Sequence, residues 1–193
     1  MSQSKFKCML YKLPSLFDEG AVFTAIDTET TGLNKHNDRI IEIGAVKFDK
    51  NGIIDKFSSL INPKRPLTQI CIKLCGIYDD MLSDAPTVAK VLPEFLCFIS
   101  GSTLIAHNAN FDINFINAEC ERIHFPQLTK PNIPALDTVK ISRFCFPSFE
   151  KHNLQFLAHK FAINSGKAHR ALDDAIVCKE IFLRCINDSL RHM

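Results

Sequence analysis

The segment Ile40–Ile61 most narrows what this chain can fold into. Ile40–Phe48 (IIEIGAVKF) and Ile53–Ile61 are two β-type runs, and Asn51-Gly52 stands between them. Asn-Gly between such runs favours the tight turn whose twist matches two antiparallel strands, so a hairpin is predicted. A shorter apolar run, Val22–Ile26, precedes it and stops at Asp27. It predicts a buried strand with Asp27 at its C-terminal end. A meander of three strands therefore begins the fold.

After Asn62-Pro63 the pattern turns helical. Leu67–Leu74 predicts a short helix and Thr87–Ile99 a longer one, which Pro93 is expected to kink or split. Ser100-Gly101 ends it, and Thr103–Ala106 reads as a short strand. Phe111–Ile123 carries apolar residues at helical spacing. Ile133–Leu136 predicts a last strand, with helices at Thr138–Phe144, Asn153–Phe161 and Arg170–Ile186. Residues 1–20 are weakly patterned and end at the turn signal Asp18-Glu19-Gly20. They read as an N-terminal extension to a domain over residues 21–193. The order βββ-α-β-α-β-α-α implies one α/β domain, a mixed sheet covered by helices.

The bulk properties narrow the function classes. Net charge is +2 over 193 residues. A protein that coats duplex nucleic acid through a broad basic face would be more strongly basic. An enzyme that grips a few nucleotides beside metal ions needs no such excess, because the ions supply positive charge. The eight cysteines show neither a CxxC nor a zinc-finger spacing; Cys71 and Cys75 come closest, spaced as on one helix face. Reduced buried thiols in a cytoplasmic protein are the expectation. No apolar run reaches the roughly 18 residues of a membrane span. Lys12 and Pro14 interrupt Met9–Phe17, which makes a poor signal peptide.

Three short acidic motifs carry the chemistry. They are Asp27-Thr28-Glu29-Thr30-Thr31-Gly32-Leu33, His107-Asn108-Ala109-Asn110-Phe111-Asp112 and His169-Arg170-Ala171-Leu172-Asp173-Asp174-Ala175. On an extended segment residues i and i+2 point to one side, so Asp27 and Glu29 can face one metal site. Mg²⁺ and Mn²⁺ take oxygen ligands, usually one or two protein carboxylates with substrate phosphate and water. Gly32 allows close approach of backbone to a ligand. Asp112 is expected at the start of a helix, where its charge is favoured, with Asn110 as a plausible N-cap. On a regular helix His169 and Asp174 would diverge by roughly 140°. With His169 in the preceding loop (Asn164–Lys167 makes one plausible), it can fold over a site that Asp174 reaches from the first helical turn. A histidine there suits removal of a proton from water. Taken singly, each motif also reads as a strand end, a helix start or an ordinary loop histidine.

As a set, in this order and with the final His-x-x-x-x-Asp spacing, the motifs resemble the DEDDh 3′–5′ exonucleases of the ribonuclease H-like superfamily. The closest likeness there is to the epsilon-type proofreading exonucleases of bacterial replicative DNA polymerases. The resemblance covers roughly residues 21–187. It implies a ribonuclease H-like mixed five-stranded sheet flanked by helices, and a two-metal-ion enzyme using Mg²⁺ or Mn²⁺. Asp27, Glu29, Asp112 and Asp174 would be the acidic ligands and His169 the general base. Thr30, Gly32, Leu33 and Phe111 would meet the terminal nucleotide. Asp137 matches a family acidic position and reads as structural. The implied activity is release of nucleoside 5′-monophosphates from the 3′ end of single-stranded DNA, in proofreading or repair. Nucleic-acid 3′ ends are the implied partner; a replicative DNA polymerase is a candidate, but attachment to one does not follow from the resemblance. The alternative on the same scaffold is an RNA-trimming 3′–5′ exoribonuclease, distinguished by its tolerance of a 2′-hydroxyl near the terminal nucleotide. Cys75 departs from the family, which often places a histidine or another polar residue there.

Overall fold

The computed structural model describes residues 3–128, 135–164, 166, 169–188 and 190. Helix α1 (Gln3–Asp18) leads into strands β1 (Phe23–Thr30), β2 (Ile40–Asp49) and β3 (Gly52–Leu60), the expected antiparallel meander. The turn closes at Gly52, whose φ of +127° suits glycine. Two short helices follow, α2 (Gln69–Cys75) and α3 (Asp79–Ser83), and then α4 (Val88–Ile99). Strand β4 (Thr103–Ala106), helix α5 (Ala109–Arg122) and strand β5 (Leu136–Asp137) come next. Helices α6 (Thr138–Cys145), α7 (Leu154–Lys160) and α8 (Ala171–Asp188) complete the order. The five strands form one mixed sheet, β3-β2-β1-β4-β5, with β4 parallel to both β1 and β5.

Strand alternation divides the core between the two faces of the sheet. Phe23 and Ala25 of β1, with Val46 and Phe48 of β2, pack beneath α1, α6, α7 and α8. The rings of Phe23, Phe48 and Phe182 lie within 5.1–6.2 Å of one another and anchor α8 to this face. Ile26, Ile43 and Ala45 point to the other face and pack with Phe95 of α4 and Phe115 of α5. A small third cluster joins Ile41 to α2 and α3 through Cys71, Cys75 and Leu82.

Several expectations are corrected. Strand β1 does not end at Asp27: its pairing with β2 runs on to Thr30, with an irregularity after Glu29. The apolar run stops there, but the ladder continues through polar residues, with Thr28 still buried. The first 20 residues are weakly patterned, yet Gln3–Asp18 is helical and buries Leu10, Leu13 and Phe17 against the α8 face. Those three residues recur at helical spacing, and Pro14 hides the stripe from a propensity reading. Helix α4 runs unbroken through Pro93. Burial of Val91, Leu92, Phe95 and Ile99 outweighs the one backbone bond a proline cannot donate. Helix α5 is preceded by Asn108 at φ +73°, so Asn110 lies inside the helix and is not its cap. The strand expected at Ile133–Leu136 is observed only as Leu136–Asp137; residues 133 and 134 fall outside the described residues.

Asp137 caps α6, accepting from the Val139 N–H at 3.0 Å and the Asn108 N–H at 3.2 Å, which is the structural role expected of it. Six cysteines are buried and in no disulfide, whereas Cys8 and Cys97 are exposed. Among the described residues no helix is long and apolar enough to cross a membrane.

Candidate active site

Asp27 and Glu29 share a parity with Phe23 and Ala25, so β1 presents both carboxylates on its α8 face. Helix α8 starts close above them because Gly44 of β2 has no side chain. A Cβ there would stand 2.1 Å from the Ala171 carbonyl carbon and 2.2 Å from the Leu172 nitrogen. This approach brings Asp174, in the first turn of α8 and 4% exposed, over the strand. His169 lies two residues before the helix at φ +60° and is exposed. Its N–H donates to Asp174 Oδ2 at 3.1 Å, so the loop turns back on the helix it precedes. That reversal removes the divergence a continuous helix would impose. Ligand atoms of Glu29, His169 and Asp174 all lie within 4.8 Å of one another.

Asp112 reaches the cluster from the first turn of α5 and is 2% exposed. The Thr28 hydroxyl donates to its Oδ1 at 2.8 Å. Asp27 and Asp112 stand outside the Glu29–His169–Asp174 trio but within its field. Burial pushes the Asp27 carboxyl well above its usual range, reinforced by the charges of Asp112, Asp174, Glu29 and Glu42. Burial raises Glu29 to about 7, with Asp174, Glu42 and Asp112 adding repulsion and the Arg170 guanidinium opposing it. Asp112 is pushed up to about 7 by burial, against the hydrogen bond from Thr28. Burial also raises Asp174, opposed by the His169 N–H. Four carboxylates held together against burial and mutual repulsion, offset only in part by the Arg170 guanidinium, call for further positive charge. An all-oxygen set of this kind, with one exposed imidazole beside it, fits hard divalent cations.

Of the residues expected at the terminal nucleotide, Thr30 ends β1, Gly32 and Leu33 follow it, and Phe111 directly precedes Asp112 in α5. Thr30 donates its hydroxyl to the Gly32 carbonyl at 2.6 Å. Gly32 has a packing reason of its own: a Cβ there would come within 2.6–2.9 Å of the Asp38 carboxylate. Asp38 in turn accepts from Thr31 Oγ1 and the Asn34 N–H, tying the loop together. Leu33 sits on that loop at 87% exposure, so it packs in no core. Phe111 is half-buried, its ring 4.8 Å from that of Phe115. Of the expected loop Asn164–Lys167, Ser165 and Lys167 lie outside the described residues.

Three contributors carry no role in the sequence reading: Thr28 and Arg170, which stand inside the acidic motifs, and Glu42, which stands outside them. Glu42 lies directly opposite Glu29 in the β1–β2 ladder and is 1% exposed. Its carboxylate accepts from Arg170 Nη2 at 2.8 Å, Arg170 Nε at 3.1 Å and the Ala171 N–H at 3.0 Å. The signal was a single charge inside the run IIEIGAV, since a glutamate is almost never fully buried unless paired.

A family model described as Exonuclease (RNase_T) matches residues 24–182. The chain is 44% identical over 180 residues to the DNA polymerase III subunit epsilon of Treponema pallidum, covering 92% of this chain and 82% of that protein. It is 42% identical over 164 residues to the PolC-type DNA polymerase III of Caldanaerobacter subterraneus, where 85% of this chain spans only 11% of the relative. Its fold is similar to that of the nuclease domain of 3′hExo, a DEDDh family member solved with rAMP (TM-score 0.73, 21% identity, 88% of this chain and 93% of that one). The sheet order and the helical layers are those of a ribonuclease H-like exonuclease, whose family uses divalent metal ions. The chain belongs to the exonuclease family, as a 3′–5′ exonuclease homologous to the epsilon subunit of DNA polymerase III.

Proposed function

We propose that this chain is a two-metal-ion 3′–5′ exodeoxyribonuclease that hydrolyses single-stranded DNA from its 3′ end, releasing nucleoside 5′-monophosphates in proofreading or repair. The observation that carries this reading is the convergence of Glu29, His169 and Asp174 within 4.8 Å inside a field of further carboxylates. Asp27, Glu29, Asp112 and Asp174 would hold two ions, Mg²⁺ or Mn²⁺, which when bound supply a reactive water at neutral pH and steady the leaving 3′ oxygen.

The remaining work falls to the chain itself. His169 is exposed at the cluster's mouth, where its ring can take the proton of the attacking water and release it to solvent. Its backbone bond to Asp174 keeps base and acid in register. Thr30 and Gly32 line the approach of the terminal nucleotide. Leu33, apolar and held out to solvent on a tied loop, offers its face to the terminal base, with Phe111 beside it. Apolar stacking of this kind is tolerant of sequence, as an exonuclease requires. The likeness to an epsilon subunit supports a bacterial replicative DNA polymerase as partner and the cytoplasm as the place of action.

The test is digestion of matched 5′-labelled single-stranded DNA and RNA oligonucleotides with Mg²⁺, with Mn²⁺ and with EDTA. A metal-dependent ladder shortening from the 3′ end on DNA is expected. A ladder preferred on RNA would replace the substrate assignment with the trimming reading. No cleavage of either with any metal would overturn the enzymatic one.

A further inference from the structure

Five carboxylates converge at this site, and the fifth differs from the other four. Glu42 faces Glu29 across the ladder, and its charge raises the proton affinity of both Asp27 and Glu29. By position alone it would pass for a metal ligand. Its two oxygens are already committed, however. Oε1 receives Arg170 Nη2 and Nε, and Oε2 receives Arg170 Nε and the Ala171 N–H, all at 2.8–3.2 Å.

We infer that Glu42 and Arg170 form a positioning pair that clamps the His169 corner onto β2, and that neither ligates metal nor touches substrate. Arg170 follows His169 directly, and Ala171 follows Arg170. The clamp therefore grips the two residues after a histidine whose φ of +60° is uncommon for a residue with a side chain. Two further contacts complete the fixture. Gly44, two residues beyond Glu42, lets the backbone of Ala171 and Leu172 rest on the strand. The His169 N–H closes back on Asp174. A two-pronged guanidinium–carboxylate contact fixes direction as well as distance, which a lysine cannot reproduce. The exposed imidazole is thus placed through its backbone.

The inference rests on the exonuclease reading for its kinetic arm only. Arg170→Met, Arg170→Lys and Glu42→Gln are compared in the full chain, alone and combined with His169→Ala. Arg170→Met should lower kcat by about 10–100-fold while KM for a DNA oligonucleotide stays within about 2-fold, the pattern of a lost transition-state interaction. Arg170→Lys should recover part of that loss. In the His169→Ala background Arg170→Met should cost nothing more, because groups that act through one another are not additive. Additive losses, or a loss confined to KM, would overturn the inference.

A second arm does not depend on activity. Amide hydrogen exchange at His169–Leu172 should rise in Arg170→Met and in Glu42→Gln, with Arg170→Lys between these and the wild type. Unchanged exchange overturns the clamp. Mg²⁺- and Mn²⁺-induced gains in Tm should survive in Glu42→Gln; their loss would make Glu42 a ligand. The conservative Glu42→Gln and Arg170→Lys keep both arms readable if Arg170→Met does not fold. A wild-type chain that cleaves no DNA would overturn the enzymatic reading while the exchange experiment still decides the clamp.

Discussion

The Thr28 hydroxyl and the Asp112 carboxylate meet at 2.8 Å, 84 residues apart in the chain and both buried. Thr28 points to the opposite face of β1 from Asp27 and Glu29, so one strand supplies two carboxylates on one side and an orienting donor on the other. The donor holds down a proton affinity that burial has raised to about 7. Thr28→Val removes it with almost no change in shape. Asp112 should then bind its proton more tightly, and the acid limb of the pH–activity profile should move to higher pH. Stability should fall by about 1–3 kcal/mol, the cost of leaving a buried acceptor unmet. A profile that coincides with the wild type would detach Thr28 from the working state of Asp112.

The same four carboxylates make stability depend on pH in a direction opposite to most surface acids. Their folded proton affinities are raised, with Glu29 and Asp112 near 7. A group of this kind contributes stability fully below its unfolded pKa, about 4 for a carboxylate, and loses it as pH rises through its folded value. Metal-free protein should therefore lose Tm between pH 6.5 and pH 8. His107 does not confuse that window: burial lowers its pKa to about 4, so its own contribution is lost only on acidification below about 6.5. Mg²⁺ or Mn²⁺ should restore Tm most at the alkaline end, where the ions meet an ionised cluster. Thermal melts in EDTA and in each metal across this range check the slope. A metal-free Tm that climbs from pH 6.5 to 8 would remove the repulsion argument.

Gly44 has no room to change. The atoms a Cβ would meet are the backbone of Ala171 and Leu172, and backbone cannot swing aside as a side chain can. Gly44→Ala should lift the start of α8 from the sheet, carrying Asp174 and His169 with it. Overpacking of this kind costs about 1–3 kcal/mol. The loss of activity should be larger in proportion, about 100-fold for a displacement near 1 Å. Comparing Tm with kcat in this variant separates the two, since a stability loss with full kcat would show that the corner can shift without harm.

Much of this was legible in the sequence, and what was missed has physical causes. The hairpin at Asn51-Gly52 and strand β4 are local signals, and both match the structure closely. The three motifs named Asp27, Glu29, Asp112 and Asp174 because their types and spacing carry the chemistry, but not the fifth carboxylate, Glu42. Glu42 and Arg170 lie 128 residues apart, and no local pattern announces a pair formed only by folding. The register shift after Glu29 and the continuation of β1 past Asp27 come from the neighbouring strand, which propensity does not see.

Helix α1 was missed for the opposite reason, a local signal weakened by Pro14 and overridden by packing. Leu13 is 2% exposed in the same core as Phe23 and Phe182. Leu13→Ala should destabilise the protein by about 2–5 kcal/mol, as core truncations do. Denaturant unfolding would show it as a lower midpoint with an unchanged slope. A change within about 0.5 kcal/mol, the range of an ordinary surface substitution, would return residues 3–18 to the status of a dispensable extension.

Asp174 and His169 allow activity and stability to be moved in opposite directions. Asp174 accepts the His169 N–H through one oxygen and lies 3.4 Å from Gln155 Nε2 through the other. Asparagine can still accept through its carbonyl while removing one charge from a crowded field. Asp174→Asn should therefore keep the fold, and in EDTA at pH 8 its Tm should equal or exceed that of the wild type. Cleavage should be abolished and the metal-induced gain in Tm should shrink, because one ligand is gone. His169→Ala should leave the metal-induced gain intact and cut kcat by about 10²–10⁴-fold, the usual contribution of a positioned general base. The pair thus separates metal binding from proton transfer: an active Asp174→Asn enzyme removes the metal assignment, and near-normal turnover of His169→Ala at neutral pH removes the base.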